Sequence, residues 1–76
     1  MKNCVKEYRN KNNMTQKQLA NLVHVSIRTI ISIEKGQYNP SLLLAYRIAK
    51  VFHTSLEELY FLEENLIIEE EKYENL

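Results

Sequence analysis

The chain has 76 residues, of which 45% are apolar and 26% are charged, and its formal net charge is zero. This length suits one small domain, and the composition is that of an ordinary soluble protein. No apolar run is long enough to span a membrane, and the N-terminus lacks the pattern of a secretion signal. The single cysteine, Cys4, excludes an internal disulfide. We therefore expect a cytoplasmic protein without a membrane partner.

The charges are divided between two parts of the chain. Residues 1–53 carry nine basic and two acidic residues, a net charge of +7. Residues 54–76 carry eight glutamates and one lysine, a net charge of −7. A basic body of this kind favours an anionic partner.

One glycine and one proline interrupt the chain and strand-like alternation is rare, so we predict an all-α fold. Thr15 and Gln18 form a capping box, and Asn12-Asn13 suits the left-handed end of a helix. Start and stop signals of this type divide residues 1–60 into five helices. They run from about Lys2 to Asn12, from Gln16 to about Val23, from the Ser26 cap to Gly36, from the Ser41 cap to about Phe52, and from the Ser55 cap onwards.

Apolar spacing also predicts which residues of these helices face the core. In the second helix the inward residues are Leu19, Ala20 and Val23. In the fourth helix the predicted core face consists of Leu42, Leu44, Ala45, Ile48, Ala49 and Phe52.

Only Val23-His24-Val25 separates the second and third predicted helices. So short a turn sets two helices at a steep angle, which is the helix-turn-helix arrangement. The small residue Ala20 suits the point where the two helix backbones approach. The ordered motifs resemble the Cro and lambda-repressor-like regulators, also called the xenobiotic-response-element family. The matching segments are MTQKQLA (14–20), VS (25–26), TI (29–30), IEKG (33–36), NPSL (39–42), IA (48–49) and LEEL (56–59).

The resemblance implies a five-helix, phage-repressor-like DNA-binding domain over residues 1–60. It also implies a bacterial or phage-encoded, nucleoid-associated transcriptional regulator, most simply a repressor. Regulators of this family bind double-stranded DNA operators as homodimers on inverted repeats. This chain departs from the family at two positions, since His24 and His53 stand where glycine is usual. Both follow a helix end, where we expect each histidine in the left-handed conformation.

The third helix has two different faces. At about 100° per residue it turns Ile30 and Ile33 toward the core. The resemblance places the opposite face in the DNA major groove, where Arg28 can donate two hydrogen bonds to guanine. Ile27 and Ile31 can pack on thymine methyl groups; partial burial of either is the alternative. The predicted base-reading residues are Ile27, Arg28, Thr29, Ile31 and Ser32.

Contacts to phosphates would fix the register of this face on the duplex. The resemblance points to Gln16 at the start of the second helix, and the loop after the third helix offers further polar groups. The predicted phosphate-binding residues are Thr15, Gln16, Lys17, Lys35, Gln37, Tyr38, Asn39 and Ser41. The resemblance also implies a structural salt bridge between Arg9 in the first helix and Glu34 at the end of the third.

Residues 61–76 form an acidic C-terminal extension that reads equally well as a helix or as short strands. Its apolar residues have no evident place in a five-helix core, so we predict that they form the homodimer contact. The alternative is that residues 61–68 fold back on their own chain. The predicted dimer contact consists of Tyr60, Phe61, Leu62, Leu66, Ile67 and Ile68.

The sequence offers little for other classes of protein. No pattern places a nucleophile beside a base, and no glycine loop is present to hold a phosphate. The two histidines and one cysteine lack the spacing of metal ligands. We therefore expect no enzyme activity, cofactor or metal site. The rival interpretation is an antitoxin-like interaction module whose tail binds a partner protein, with DNA binding secondary.

Overall fold

The computed structural model describes residues 1–74, which form six α-helices and no strand. This confirms the all-α fold and assigns residues 62–74 of the C-terminal extension to a helix, so the strand alternative is wrong for them; residues 75–76 lie outside the described residues. No helix within residues 1–74 is long and apolar enough to cross a bilayer. The helices are α1 (Val5–Lys11), α2 (Gln16–Leu22), α3 (Ile27–Glu34), α4 (Leu42–Val51), α5 (Leu56–Tyr60) and α6 (Leu62–Glu74).

Side-chain hydroxyls begin four of these helices. Thr15 Oγ1 accepts from Gln18 N at 3.0 Å, and Gln18 Oε1 accepts from Thr15 N at 2.8 Å. This reciprocal pair is the predicted capping box at the start of α2. Serine hydroxyls accept a backbone N–H three residues on at the starts of α3, α4 and α5, from Ser26, Ser41 and Ser55. Local sequence therefore sets where these elements begin.

Left-handed residues end the helices. Asn13, His24 and His53 have φ values of 54°, 61° and 53°, which confirms the conformation predicted for them. Gly36 has a φ of 73°, and a Cβ at this position would lie 3.0 Å from the carbonyl oxygen of Met1. Glycine is therefore favoured here both for its backbone freedom and for the space it leaves.

The core lies among α1 to α5. Ala20 is almost fully buried between α2 and α3, so the two helices approach closely at the turn. On α3, Ile30 and Ile33 are fully buried, as their angular positions predict. The buried apolar residues are Val5, Leu19, Ala20, Val23, Ile30, Ile33, Leu44, Ala45, Ile48, Ala49, Phe52, Leu59 and Tyr60.

Two expectations about helix residues are wrong. Leu42 was expected in the core but is 76% exposed, because it lies about 200° around the axis of α4 from the buried Leu44. The first helix begins at Val5 rather than Lys2. The Asn3 side chain accepts from Val5 N at 3.1 Å, and residues 1–3 continue outside the helix.

Tyr60 lies in the core rather than on an outer surface. Its side chain is 1% exposed, and its hydroxyl donates to the carbonyl oxygen of Ala45 at 3.1 Å. A residue held in this way cannot reach a second chain. We therefore remove Tyr60 from the predicted dimer contact, because its position in α5 turns it toward α4.

Replacing Tyr60 by phenylalanine is expected to lower the free energy of unfolding by about 1 kcal/mol at neutral pH, because one hydrogen bond is lost. Burial raises the pKa of Tyr60 above its ordinary value of 10.0. Since the pKa is higher in the folded state, Tyr60 stabilises the fold below pH ~10 and loses this contribution as the pH rises further. Urea unfolding at about pH 7 and about pH 11 would measure both effects. Equal alkaline losses in the wild type and Tyr60→Phe would contradict this assignment.

The last helix projects from this core as an arm, which we define as residues 61–74. Phe61 joins α5 to α6 in the left-handed conformation, with a φ of 47° that is uncommon for a bulky residue. The apolar side chains of α6 remain exposed, with Leu66 at 58% and Ile67 at 53%. The described chain is correspondingly elongated, with extents of 42 × 22 × 20 Å. The arm therefore presents apolar surface that the fold itself leaves uncovered.

Candidate nucleic-acid interface

The outer face of α3 carries the predicted base-reading residues. Ile27 is 41% exposed and Arg28 is exposed beside it, at the N-terminal end of the helix. Thr29, Ile31 and Ser32 are half-buried. The structure thus brings all five together on one helix, with Ile27 and Arg28 the most accessible.

Thr29 has a second role within the chain. Its hydroxyl lies 3.0 Å from Ser26 Oγ, and its backbone N–H donates to the same oxygen at 3.1 Å. Thr29, a predicted base-reading residue of α3, therefore also helps to cap the start of that helix.

A buried ion pair joins α3 to the helices behind it. Arg9 Nε donates to Glu34 Oε2 at 2.7 Å, and Arg9 Nη2 donates to Glu34 Oε1 at 3.2 Å. Arg9 Nη1 also donates to the carbonyl oxygen of Met14 at 2.8 Å. The side chains of Arg9 and Glu34 are only 10% and 4% exposed. The geometry is that of the structural salt bridge expected from the resemblance, and it fixes the end of α3 against α1.

Gln16 belongs to the same network. Its Nε2 donates to Glu34 Oε1 at 3.1 Å, so its side-chain amide has a partner inside the protein. The salt bridge is thereby tied to the start of α2 as well as to α1. The two helices of the helix-turn-helix are held together at both ends, by the turn and by this network.

The loop after α3 leaves the helix in a defined direction. Gly36 N donates to the carbonyl oxygen of Ile33 at 2.9 Å, and Gln37 N donates to that of Ser32 at 3.0 Å. These two bonds form a Schellman motif, which ends the helix on its glycine. Together with the start of α2, the loop presents the exposed phosphate candidates Thr15, Lys17, Lys35, Gln37, Tyr38, Asn39 and Ser41.

Residues 1–3 form a strap, a feature that the sequence did not reveal. Its two outer residues bond to the end of α3: Asn3 Nδ2 donates to the carbonyl oxygen of Ile33 at 2.8 Å, and Met1 N donates to that of Gly36 at 2.9 Å. The backbone of its middle residue, Lys2, exchanges two hydrogen bonds with the Asn65 side chain, at 3.2 and 2.9 Å. No local pattern links positions 2 and 65, because the fold alone brings them together.

Two short packed helices joined by a short turn, the second with an outer face of polar and apolar side chains, define a DNA-binding helix-turn-helix protein. Residues 5–59 match the helix-turn-helix family HTH_3, and the chain belongs to this family of DNA-binding transcriptional regulators. The family is not an enzyme family. The resemblance to Cro and lambda-repressor-like regulators is therefore confirmed.

Similar proteins occur in archaea and bacteria. Over 64 residues the chain is 50% identical to an uncharacterized HTH-type transcriptional regulator of Archaeoglobus fulgidus, covering 84% of this chain and 90% of that protein. It is 49% identical over 65 residues to the uncharacterized regulator MJ0272 of Methanocaldococcus jannaschii, covering 86% and 98% of the two chains. The crystal structure of the restriction-modification controller protein C.AhdI from Aeromonas hydrophila matches with a TM-score of 0.67 and 27% identity. That match covers 74% of this chain and 85% of the other.

Proposed function

We propose that this protein is a homodimeric repressor, which binds an inverted-repeat operator with one α3 helix in the major groove of each half-site. The observation that carries the proposal is the outer face of α3, where Arg28 and Ile27 are exposed on a helix whose other face is buried. The named relatives are regulators, which favours this function over the antitoxin-like interaction module.

The proposed base recognition combines hydrogen bonds from one guanidinium group with apolar contacts. The guanidinium of Arg28 can bond guanine O6 and N7 together, which discriminates against other bases by about 1–3 kcal/mol. Ile27 has no hydrogen-bonding group, so it can recognise only the apolar feature of the groove, the thymine methyl group. The proposed half-site therefore contains thymine close to guanine.

Phosphate contacts supply the remaining affinity. The exposed candidates lie at the start of α2 and in the loop after α3. Lys17 and Lys35 supply the charges, and the polar side chains between them fix the register. Binding by such contacts releases counterions, so affinity should fall steeply as salt is raised.

Dimerisation places two reading helices on one face of the duplex. A two-fold dimer on an inverted repeat requires half-sites about 34 Å apart. We assign the contact to the exposed apolar residues of the arm, because the single-chain fold leaves them in water. The proposed contact takes in five of them, Phe61, Leu62, Leu66, Ile67 and Ile68.

Removing a thymine methyl from the operator is expected to weaken binding about fourfold per methyl, since a buried CH₂-sized group is worth about 0.8 kcal/mol. The operator is first selected from random DNA, and uracil then replaces each thymine in turn. Binding is measured by fluorescence anisotropy with the wild type and with Ile27→Ala.

Combining each uracil substitution with the Ile27→Ala variant provides the control. At the thymine that Ile27 contacts, the Ile27→Ala variant should be insensitive to uracil, whereas it should respond normally at other thymines. If no thymine shows this coupling, the apolar reading of the groove is wrong. If random DNA yields no enriched site and affinity does not change with salt, the DNA-binding proposal as a whole fails.

A further inference from the structure

We infer that Asn3 and Asn65 are positioning residues that set the distance and angle between the two reading helices of the dimer. They would thereby determine which half-site spacing the protein accepts. The inference rests on the proposed function, because it takes the arm as the dimer contact. It adds a specificity for operator spacing, which the outer face of α3 cannot provide by itself.

The two outer residues of the strap, Met1 and Asn3, are attached to the end of α3. Asn3 Nδ2 donates to the carbonyl oxygen of Ile33, in the last turn of α3, at 2.8 Å. The carbonyl oxygen of Met1 lies where a Cβ on Gly36 would meet it at 3.0 Å, so the strap is packed directly on the end of this helix. If the strap moves, the end of α3 and the loop that follows it must therefore move with it or lose these contacts.

The middle residue of the strap, Lys2, is attached to the arm through its backbone. Asn65 Oδ1 accepts from Lys2 N at 3.2 Å, and Asn65 Nδ2 donates to the carbonyl oxygen of Lys2 at 2.9 Å. The same Nδ2 donates to the carbonyl oxygen of Tyr60 at 2.6 Å, across the left-handed junction at Phe61. Asn65 is the half-buried residue of α6, whose other described side chains are exposed. It therefore fixes the arm to both the core and the strap.

These attachments control the angle at which α6 leaves the core. Phe61 holds a conformation that a bulky residue rarely adopts, so neighbouring contacts are needed to maintain it. The ion pair between Lys2 and Glu64 adds little, because both side chains are more than half exposed. The side-chain bonds of Asn3 and Asn65, together with the bond from Met1 N to Gly36 O, form the specific connection between the arm and α3. In a two-fold dimer any change in this angle is applied twice, once in each chain.

The test compares two operators with the wild type, Asn65→Asp and Asn3→Asp. One operator has the preferred spacing, and the other has one base pair inserted between the half-sites, which moves them by about 3.4 Å and about 35°. Asn65→Asp keeps the acceptor for Lys2 N but loses both donated bonds. Asn3→Asp keeps the side-chain oxygen that accepts from Val5 N but loses the bonds that Asn3 donates to the carbonyl oxygens of Ile33 and Met1. Asn10→Asp is the control, an exposed asparagine at the far end of α1 that receives the same added charge.

We expect the wild type and Asn10→Asp to discriminate strongly between the two operators. Each strap variant should lose about tenfold of this discrimination, within the range of couplings between linked sites. The double variant should lose no more discrimination between the operators than either single variant, because each single substitution already breaks the one connection between the arm and α3. Melting temperature and sedimentation identify any variant that loses its fold or its dimer, in which case the other variant decides.

Three results would overturn the inference. The first is unchanged spacing discrimination in both variants. The second is an equal loss of affinity for both operators, which marks a purely structural effect. The third is an additive loss in the double variant, which marks two independent sites. If the wild type binds neither operator, the proposed function itself has failed, and this outcome is distinguishable from the other three.

Discussion

Replacement of Arg9 by alanine is expected to lower the free energy of unfolding by about 3–5 kcal/mol, because it leaves Glu34 buried without its cation. The pair is bidentate and nearly inaccessible, with its closest contact at 2.7 Å. The same substitution removes the donor to the carbonyl oxygen of Met14. A domain of this size has a total stability near the low end of about 5–15 kcal/mol, so the variant should be largely unfolded on moderate heating.

Urea unfolding followed by circular dichroism measures this effect. Lys6→Ala is the matched control, since it removes an exposed cation from the same helix and should change stability by less than about 0.5 kcal/mol. The double variant Arg9→Met with Glu34→Leu should recover a large part of the loss, because no unpaired charge remains. An unchanged melting temperature in Arg9→Ala would show that the salt bridge does not stabilise the fold.

The second large effect is expected from Leu66→Glu, which should dissociate the dimer. Burial of a leucine is worth about 1.5–3 kcal/mol, and a two-fold interface contains each residue twice. The loss is therefore about 3–6 kcal/mol, or about 10²- to 10⁴-fold in the dimer dissociation constant. Operator affinity should fall with it, because a monomer reads only one half-site.

Sedimentation velocity over a range of concentrations measures the dissociation constant. Leu22→Glu is the control, since Leu22 is exposed to a similar degree, 52% against 58%, but lies on α2 outside the arm. A dimer that survives Leu66→Glu, Ile67→Glu and Ile68→Glu alike would remove the arm from the interface. A monomeric wild type would contradict the proposed dimer directly.

Local chemistry made much of the fold predictable. The capping box at Thr15 and the left-handed residues at His24 and His53 depend on short segments, and each was predicted from the sequence. The two faces of α3 follow from helical periodicity, which places Ile30 and Ile33 in the core. The base-reading and phosphate-binding roles themselves remain predictions.

Tertiary contacts account for what the sequence did not predict. Leu42 fits an apolar pattern, but its angle around α4 takes it away from the core. Tyr60 is amphipathic, and its burial depends on the backbone carbonyl that α4 offers to its hydroxyl. The bonds between Lys2 and Asn65 join positions 63 residues apart, so no periodicity could reveal them. The pairing of Arg9 with Glu34 was available only through the resemblance to a family.

The left-handed residue at Phe61 divides the chain into a part matched by the family and a part that follows it, since the match ends at residue 59. The arm can therefore diverge during evolution without altering the surface that reads bases. Under the proposed dimer, a duplicated gene that changed the apolar residues of its arm but kept Asn65 would encode a regulator that keeps its operator and no longer forms mixed dimers with its parent. Partner choice and target choice would then be separately heritable, because the residues proposed for dimerisation and for base reading lie on opposite sides of Phe61.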